Sequence, residues 1–266
     1  MAGNTKELRN RIKSVSSTLQ LTNAMGLVAA SKIRRANEAM VKGREYLAAL
    51  DETISHLTSD PECAKSPYMR TSDGARTKII VIAGDRGLAG GYNANVFRLC
   101  KEYPDAEFIP IGKRSCEKFG HNINSSEKYT FSEAEALSDL LCTEFAEGKF
   151  DRLGIIYTKY ISVMSSEARI KWLLPFERIE EKSSSVIFEP DRLTVFENVV
   201  REYVSGVITS LVRESYASEV SARRMAMDSA GKNATQMIEN LRLQYNRARQ
   251  GAITQEITEI VAGSGN

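Results

Sequence analysis

The stretch Leu8-Arg-Asn-Arg-Ile12-Lys-Ser-Val15-Ser-Ser-Thr-Leu19-Gln-Leu-Thr22-Asn-Ala-Met-Gly26-Leu-Val-Ala29-Ala-Ser-Lys-Ile33 decides the fold. Its numbered positions recur at alternating steps of four and three, and the pattern continues through Ala36, Met40, Gly43, Leu47, Leu50, Ile54 and Leu57. Only Thr22, Gly26 and Gly43 interrupt an apolar seam, and no proline breaks it. A spacing of 3.5 residues held over this length predicts a helix seated along a partner helix, not one lying on a globular surface. At 1.5 Å per residue, some fifty residues would span roughly 75 Å.

The last third supplies the partner. Met227, Ala230, Ala234, Ile238, Leu241, Tyr245, Ala248 and Ala252 recur at steps of three and four, and Val200, Val204, Val207 and Leu211 fit the pattern upstream. No proline follows Pro190, so a helix can run from about Leu193 to Val261. Alanine at many seam positions allows close backbone approach. A chain that travels out and back pairs most simply in the antiparallel sense, with both termini near one tip. Two separate helices of a bundle are the alternative.

Between about Thr77 and Phe188 the period changes. Lys78-Ile-Ile-Val-Ile-Ala83 is a continuous apolar run suited to a buried parallel strand. Helices are expected over 93–101 and 113–119, and strands over 107–111, 153–157 and 170–174. A longer helix over 132–147 would open with Ser132 and Glu135 as a capping box. Strand–helix alternation implies an open, largely parallel, Rossmann-like α/β sheet. The expected organisation is an N-terminal coiled-coil helix over 1–59, an inserted α/β domain over 77–188 and a C-terminal coiled-coil helix over 193–266. The polar segments 60–75 and 180–185 read as junctions.

Composition narrows the function. Thirty-six Lys and Arg face 34 Asp and Glu, a net charge of +2, which does not suit a polyanion partner for the whole chain. The first 45 residues are locally basic: nine Lys and Arg stand against Glu7, Glu38 and Glu45. That face suits solvent or an acidic protein surface. A basic-zipper DNA reader would hold its basic residues beyond the zipper, whereas this seam runs straight through them, so nucleic acid is not an expected partner. Cys63, Cys100, Cys116 and Cys142 lie at wide, unpatterned spacings that match no common zinc pattern, which points to free thiols in a reducing compartment and to no metal site. No signal peptide is expected, and no apolar run approaches the eighteen residues of a membrane span.

One segment invites chemistry. Gly84-Asp-Arg-Gly-Leu-Ala-Gly-Gly91 directly follows the first strand, and such a turn can aim backbone N–H groups at a phosphate. It lacks both the Gly-Lys-Ser/Thr ending of a P-loop and the Gly-x-Gly-x-x-Gly order of a dinucleotide turn. A structural turn packed against the helices is the preferred reading. Nothing else forms a catalytic constellation, so no cofactor and no independent enzymatic activity are expected.

Three stretches together resemble one family. They are Ile12-Lys-Ser-Val-Ser-Ser-Thr-Leu-Gln-Leu-Thr-Asn-Ala-Met25 with Val28-Ala-Ala-Ser-Lys-Ile-Arg-Arg-Ala36; Asp85-Arg-Gly-Leu-Ala-Gly-Gly-Tyr-Asn93; and Ala226-Met-Asp, Asn233-Ala, Tyr245-Asn-Arg-Ala-Arg-Gln250 and Ile253-Thr-Gln-Glu-Ile-Thr-Glu-Ile-Val261. Along essentially its whole length the chain resembles the gamma subunit of F-type ATP synthase. The resemblance implies a central rotor shaft inside a ring of three alpha and three beta subunits. Its α/β domain would join the epsilon subunit and the membrane ring of c subunits. Position by position, it implies partner contacts for Met25, Lys32, Arg35, Arg223, Arg249, Gln250, Thr254, Glu256, Thr258 and Glu259. It also implies a peripheral location on the cytoplasmic face of a bacterial membrane.

Some positions depart from the family pattern. Gly84 stands where serine or threonine is common, Ala89 where cysteine is, Arg224 for methionine, Gly231 for threonine and Gly251 for alanine, and the tail 262–266 is more polar. Gly231 and Gly251 would each cost about 1 kcal/mol of helix propensity. The middle lacks the cysteine pair of the chloroplast form, which argues against thiol control. The competing reading is a free-standing α/β nucleotide-binding enzyme with a coiled-coil dimerisation arm.

Overall fold

The computed structural model describes residues 2–70, 76–120, 124–178 and 188–263, with side chains from Thr5 onward apart from Glu256. Helix α1 spans Ala2–Thr58 and α5 spans Arg192–Gly263. Between them lie β1 (Thr77–Ile82), α2 (Tyr92–Cys100), β2 (Glu107–Ile111), α3 (Lys113–Phe119), α4 (Phe131–Ala146), β3 (Arg152–Ser162) and β4 (Ser165–Leu174). The chain divides into two compact units, one of residues up to Ala29 with those from Arg224 onward, the other Ala30–Arg223.

In the first unit, Leu8, Thr22, Gly26 and Ala29 of α1 and Met227, Gly231, Ala234, Ile238 and Leu241 of α5 are buried. A Cβ placed on Gly26 would lie 3.6 Å from Met227, and one on Gly231 would lie 3.8 Å from Leu19. Arg11 shares a cleft with Leu241 and Gln244. Numbering therefore rises on one helix as it falls on the other, and this pair is antiparallel. The three residues that interrupt the apolar seam serve close approach: Thr22 and Gly26 here, Gly43 in the second unit against Ser210. Gly231 sits at such an approach too, since a Cβ there would come within 3.3 Å of Asn23 Oδ1. Gly251 has open space around it.

In the second unit the sheet has strand order β2-β1-β3-β4. β1 pairs parallel with β2 and β3, while β4 returns antiparallel to β3. The expectation of a largely parallel sheet holds for three strands. The fourth is the return arm of a tight hairpin, and both arms run further than their apolar cores, because the outer half of each alternates polar residues. The strand β1 alternates between two cores. Ile79, Val81 and Ala83 pack with Val96 and Cys100 of α2 on one face. Ile80 and Ile82 pack on the other with Leu141 and Phe145 of α4 and with Leu57, Phe196, Val200 and Val204 of the long helices. Gly112 follows β2 at φ 98°, and a Cβ there would lie 2.0 Å from the Ala83 carbonyl, so only glycine lets the two strand ends approach.

Three local expectations are corrected. The capping box of α4 is Thr130 with Glu133, not Ser132 with Glu135. Thr130 Oγ1 accepts from the Glu133 amide at 3.3 Å, and the Glu133 carboxylate accepts from the Thr130 amide at 2.7 Å. The same Ser/Thr-x-x-Glu signal occurs twice in register, and extended backbone at Thr130 selects the first. The junction after α1 is not merely polar: two short 3-10 turns, Cys63–Lys65 and Pro67–Met69, bury Cys63 and Tyr68 in the core. The second junction, 180–185, lies outside the described residues; Phe188, just beyond it, packs against that core. Finally, α5 has no single seam in its centre. From Tyr203 to Ser221 every residue is buried except Arg213 and Tyr216. α5 starts cleanly, with Asp191 accepting from the Thr194 amide at 2.9 Å, an N-cap bond.

Candidate functional site

The glycine turn after β1 is an anchor. Asp85 accepts from the backbone amides of Lys113 (3.1 Å), Ser126 (2.9 Å) and Glu127 (3.1 Å) and from the Ser125 hydroxyl. Burial works against its charge, but these donors hold the carboxyl below the usual aspartate range. The Gly84 amide donates to Asn93 Oδ1 at 2.9 Å. The other flank of the turn rests on α5. The buried carboxylate of Glu219 lies so near Gly84 that a Cβ there would be 2.7 Å from its Cδ. Arg223 pairs with Glu219 and donates to the Gly87 and Arg86 carbonyls at 3.3 Å. A turn already faced by two carboxylates is a poor cradle for phosphate, as the preference for a structural turn expects.

A second set of buried polar groups joins α5 to β3. β1 accompanies β3 only as far as Ile156, so the backbone of Thr158 and Tyr160 beyond it has no strand on that side. Helix side chains take the strand's place. The Thr158 amide donates to Ser215 Oγ at 3.1 Å, and Ser218 Oγ donates to the Thr158 carbonyl at 3.2 Å. The Tyr160 amide donates to Glu214 at 3.0 Å, and Arg44 of α1 donates both to the Tyr160 carbonyl and to Glu214 at 2.7 Å. Tyr92 adds a bond to the Ser215 carbonyl at 3.0 Å. Together with Glu219 these residues form a polar joint on α5. The repeat of apolar positions concealed it. Its signal was the run of serines and glutamates from Glu214 to Ser221 in a helix otherwise rich in valine.

The residues carried over from the family resemblance are scattered. Arg223 is mostly buried within the joint. Lys32 pairs with Glu127, whose carboxyl is disfavoured by burial yet held below its ordinary range by Lys32 and the Tyr216 hydroxyl. Arg35 is exposed and Met25 half-buried. Arg249, Gln250, Thr254, Thr258 and Glu259 are exposed on the last turns of α5. There the threonines bond back to the helix, Thr254 to the Gln250 carbonyl (3.0 Å) and Thr258 to that of Thr254 (2.8 Å). The Glu256 side chain lies outside the described residues. All four cysteines are free and buried, and burial pushes the Cys63, Cys100 and Cys142 thiols up to about 11. Among the described residues no helix is long and apolar enough to cross a membrane.

A family model described as ATP synthase matches residues 4–265. The ATP synthase gamma chain of Ruminococcus albus is 38% identical over 282 residues, covering 99% of this chain and 98% of that one. The chain belongs to the ATP synthase gamma-chain family. A second gamma-chain relative, named as sodium ion specific, from Acetobacterium woodii, is 36% identical over 298 residues and 99% of each chain. Among solved structures, the chain resembles one from the Euglena gracilis mitochondrial ATP synthase OSCP/F1/c-ring assembly, with TM-score 0.70 and 19% identity over 99% of this chain and 94% of that one. Another, from the central stalk and c-ring of Tetrahymena thermophila mitochondrial ATP synthase, has TM-score 0.59 and 20% identity over 79% of this chain and 99% of that one. The gamma-chain fold thus includes the long terminal helices and the inserted sheet.

Proposed function

We propose that this gamma chain couples rotation to nucleotide affinity through side chains on its terminal helical pair, while its α/β domain takes the drive from the membrane ring. The chain is the central-stalk subunit of the synthase and is not itself a catalyst. The family match over residues 4–265 carries this reading. The same finding disfavours a free-standing nucleotide-binding enzyme. In the proposed assembly three alpha and three beta subunits surround the shaft, and epsilon and the c ring hold its α/β domain, on the cytoplasmic face of a bacterial membrane. Coiled-coil segments over 1–59 and 193–266 flank the domain over 77–188. Rotation presents different contacts to each beta subunit, and only such differential contacts can shift one site between open and closed states.

Met25, Lys32, Arg35, Arg223, Arg249, Gln250, Thr254, Glu256, Thr258 and Glu259 are the proposed contact set. Arg249 and Gln250 have the sharpest expectation, because Arg249 can fork onto a carboxylate and Gln250 can both donate and accept. Removing a charged partner from a desolvated interface costs about 2–5 kcal/mol. Replacing both by alanine should lower the affinity of the shaft for a purified alpha–beta ring at least about tenfold. The slow hydrolysis of the ring alone should be untouched, because the shaft takes no part in it. Parent-like assembly and turnover with the double variant would remove these two residues from the contact set.

A further inference from the structure

We propose that the buried polar joint between α5 and the β3–β4 hairpin, built from Glu214, Ser215, Ser218 and Glu219 with Arg44 of α1, is the stiff coupling that carries torque between the α/β domain and the two long helices. The inference rests on the rotor reading above and names the residues that bear its load.

A sheet packed on a helix by apolar contact alone lacks a fixed register. Apolar contact is non-directional and scales with area, so it resists separation well but resists sliding and rotation of the helix weakly. Hydrogen bonds lose strength steeply off their geometry, so buried ones define a register and oppose shear. In this molecule they are placed where shear would act. β1 stops pairing with β3 at Ile156, yet β3 runs on to Ser162 and pairs with β4 along its length. The exposed backbone of that extension is bonded at Thr158 by Ser215 and Ser218 and at Tyr160 by Glu214 and Arg44. One turn further along α5, Glu219 abuts the Gly84 turn, which Asp85 ties to the backbone at Lys113, Ser126 and Glu127. Two different parts of the domain, the β3 extension and the Gly84 turn, are therefore fixed to one helix within a few residues, and Arg44 fixes the other helix to the same hairpin.

Stability alone does not explain this choice. A buried carboxylate is expensive to desolvate, and well-packed apolar groups of the same volume would commonly serve as well or better. Glu214 and Glu219 are 5% and 2% exposed, in a helix that also buries Val207, Leu211, Val212, Ala217 and Val220. Groups that are costly in free energy but specific in geometry suit a part whose register must not slip under load.

The test uses the complete synthase, surface-held through the alpha–beta ring, with a bead on the α/β domain. Torsional stiffness is read from the bead's angular fluctuations during nucleotide-free pauses. Glu219→Gln and the double change Ser215→Ala/Ser218→Ala are compared with Val207→Ala, which thins apolar packing on the same helix and leaves the joint whole. The joint variants should widen the variance about twofold as directional bonds are lost, and lower the ion gradient at which ATP-driven pumping stalls, with unloaded hydrolysis near the parent's. Val207→Ala should lower the urea midpoint and leave the variance at the parent value. Parent-like variance in both joint variants, or equal widening in Val207→Ala, overturns the proposal. If Glu219→Gln does not assemble, the serine pair decides alone, since each of its changes deletes only a hydroxyl. A parent complex that hydrolyses ATP without turning the bead would sink the rotor reading instead.

Discussion

Two stretches of helix α5, of nearly equal length and both periodic in sequence, have opposite fates. From Tyr203 to Ser221 the helix is buried on almost every face, and Glu214, Ser215 and Ser218 bond the backbone of β3 in the same chain. From Arg242 to Gly263 only Tyr245, Ala248 and Ala252 are even half-buried among the described side chains. Ile253, Ile257 and Ile260 line up at i, i+4 and i+7, with Ile257 57% and Ile260 69% exposed. The first stretch is a core helix whose partners are internal. The second presents a largely exposed apolar stripe, as an interaction surface would. One stretch is thus stabilised by the chain's own fold, and the other leaves apolar area that a partner could bury.

The contrast is broken most severely at Phe196, fully buried against Phe176 in the large core. Phe196→Ala should destabilise the isolated chain by about 3–5 kcal/mol through lost transfer free energy and a residual cavity. Trp172, the single tryptophan, has Arg152 over its ring and Tyr103 edge-on to it in the same unit, and supplies the fluorescence signal for urea unfolding. A loss under 1 kcal/mol would mean that this unit is not the stable half.

Next in size is Asp85→Asn, expected to cost about 2–3 kcal/mol, because an amide cannot accept from all four donors that the carboxylate now satisfies. Its pH dependence gives a second handle. The folded-state pKa of Asp85 is depressed, so its contribution is fully present above the unfolded value of 3.8 and is lost as pH falls through the folded value. The parent should therefore lose stability in acid more steeply than Asp85→Asn. Parallel acid limbs in the two proteins would show that the Asp85 network is not a stabilising anchor.

How much of this was legible in the sequence follows the same division. The α1 seam from Leu8 to Leu57 could be read residue by residue, because a two-helix contact needs only a stripe and every position of that stripe is buried or half-buried. The four strands were legible as apolar runs or alternation. The hairpin lengths and the capping box were not, since both depend on which of several equivalent local choices the tertiary structure uses. The joint was illegible for a deeper reason. Glu214, Ser215 and Ser218 bond backbone atoms of Thr158 and Tyr160 more than fifty residues away, and backbone groups leave no mark in a side-chain pattern. Gly84 could be seen as part of a turn, but the Glu219 carboxylate packed against it could not. The contact residues Arg249 and Gln250 came from family resemblance alone, as exposed positions carry no folding signal.

The smallest effect on the isolated chain, and the sharpest separation of the two regions, belongs to Ile257→Ser. The side chain is mostly exposed, so the change removes little buried area and should move the urea midpoint by less than about 0.5 kcal/mol. Serine is a somewhat weaker helix former than leucine or alanine but close to isoleucine, so propensity adds nothing decisive. In the assembled synthase the same position should behave as a core residue. Fully burying an isoleucine against a partner is worth about 1.5–3 kcal/mol, which translates to roughly a tenfold to hundredfold loss of affinity for the alpha–beta ring. The measurement is a titration of the ring with parent and variant chains, paired with their urea curves. Silence in urea with weakened assembly would place the stripe at an interface. Silence in both would make Ile257 an ordinary solvent-facing residue, and the exposed apolar stripe would then need another explanation. A large loss in urea alone would contradict the exposure itself, and with it the claim that the two stretches of α5 differ in where their stability comes from.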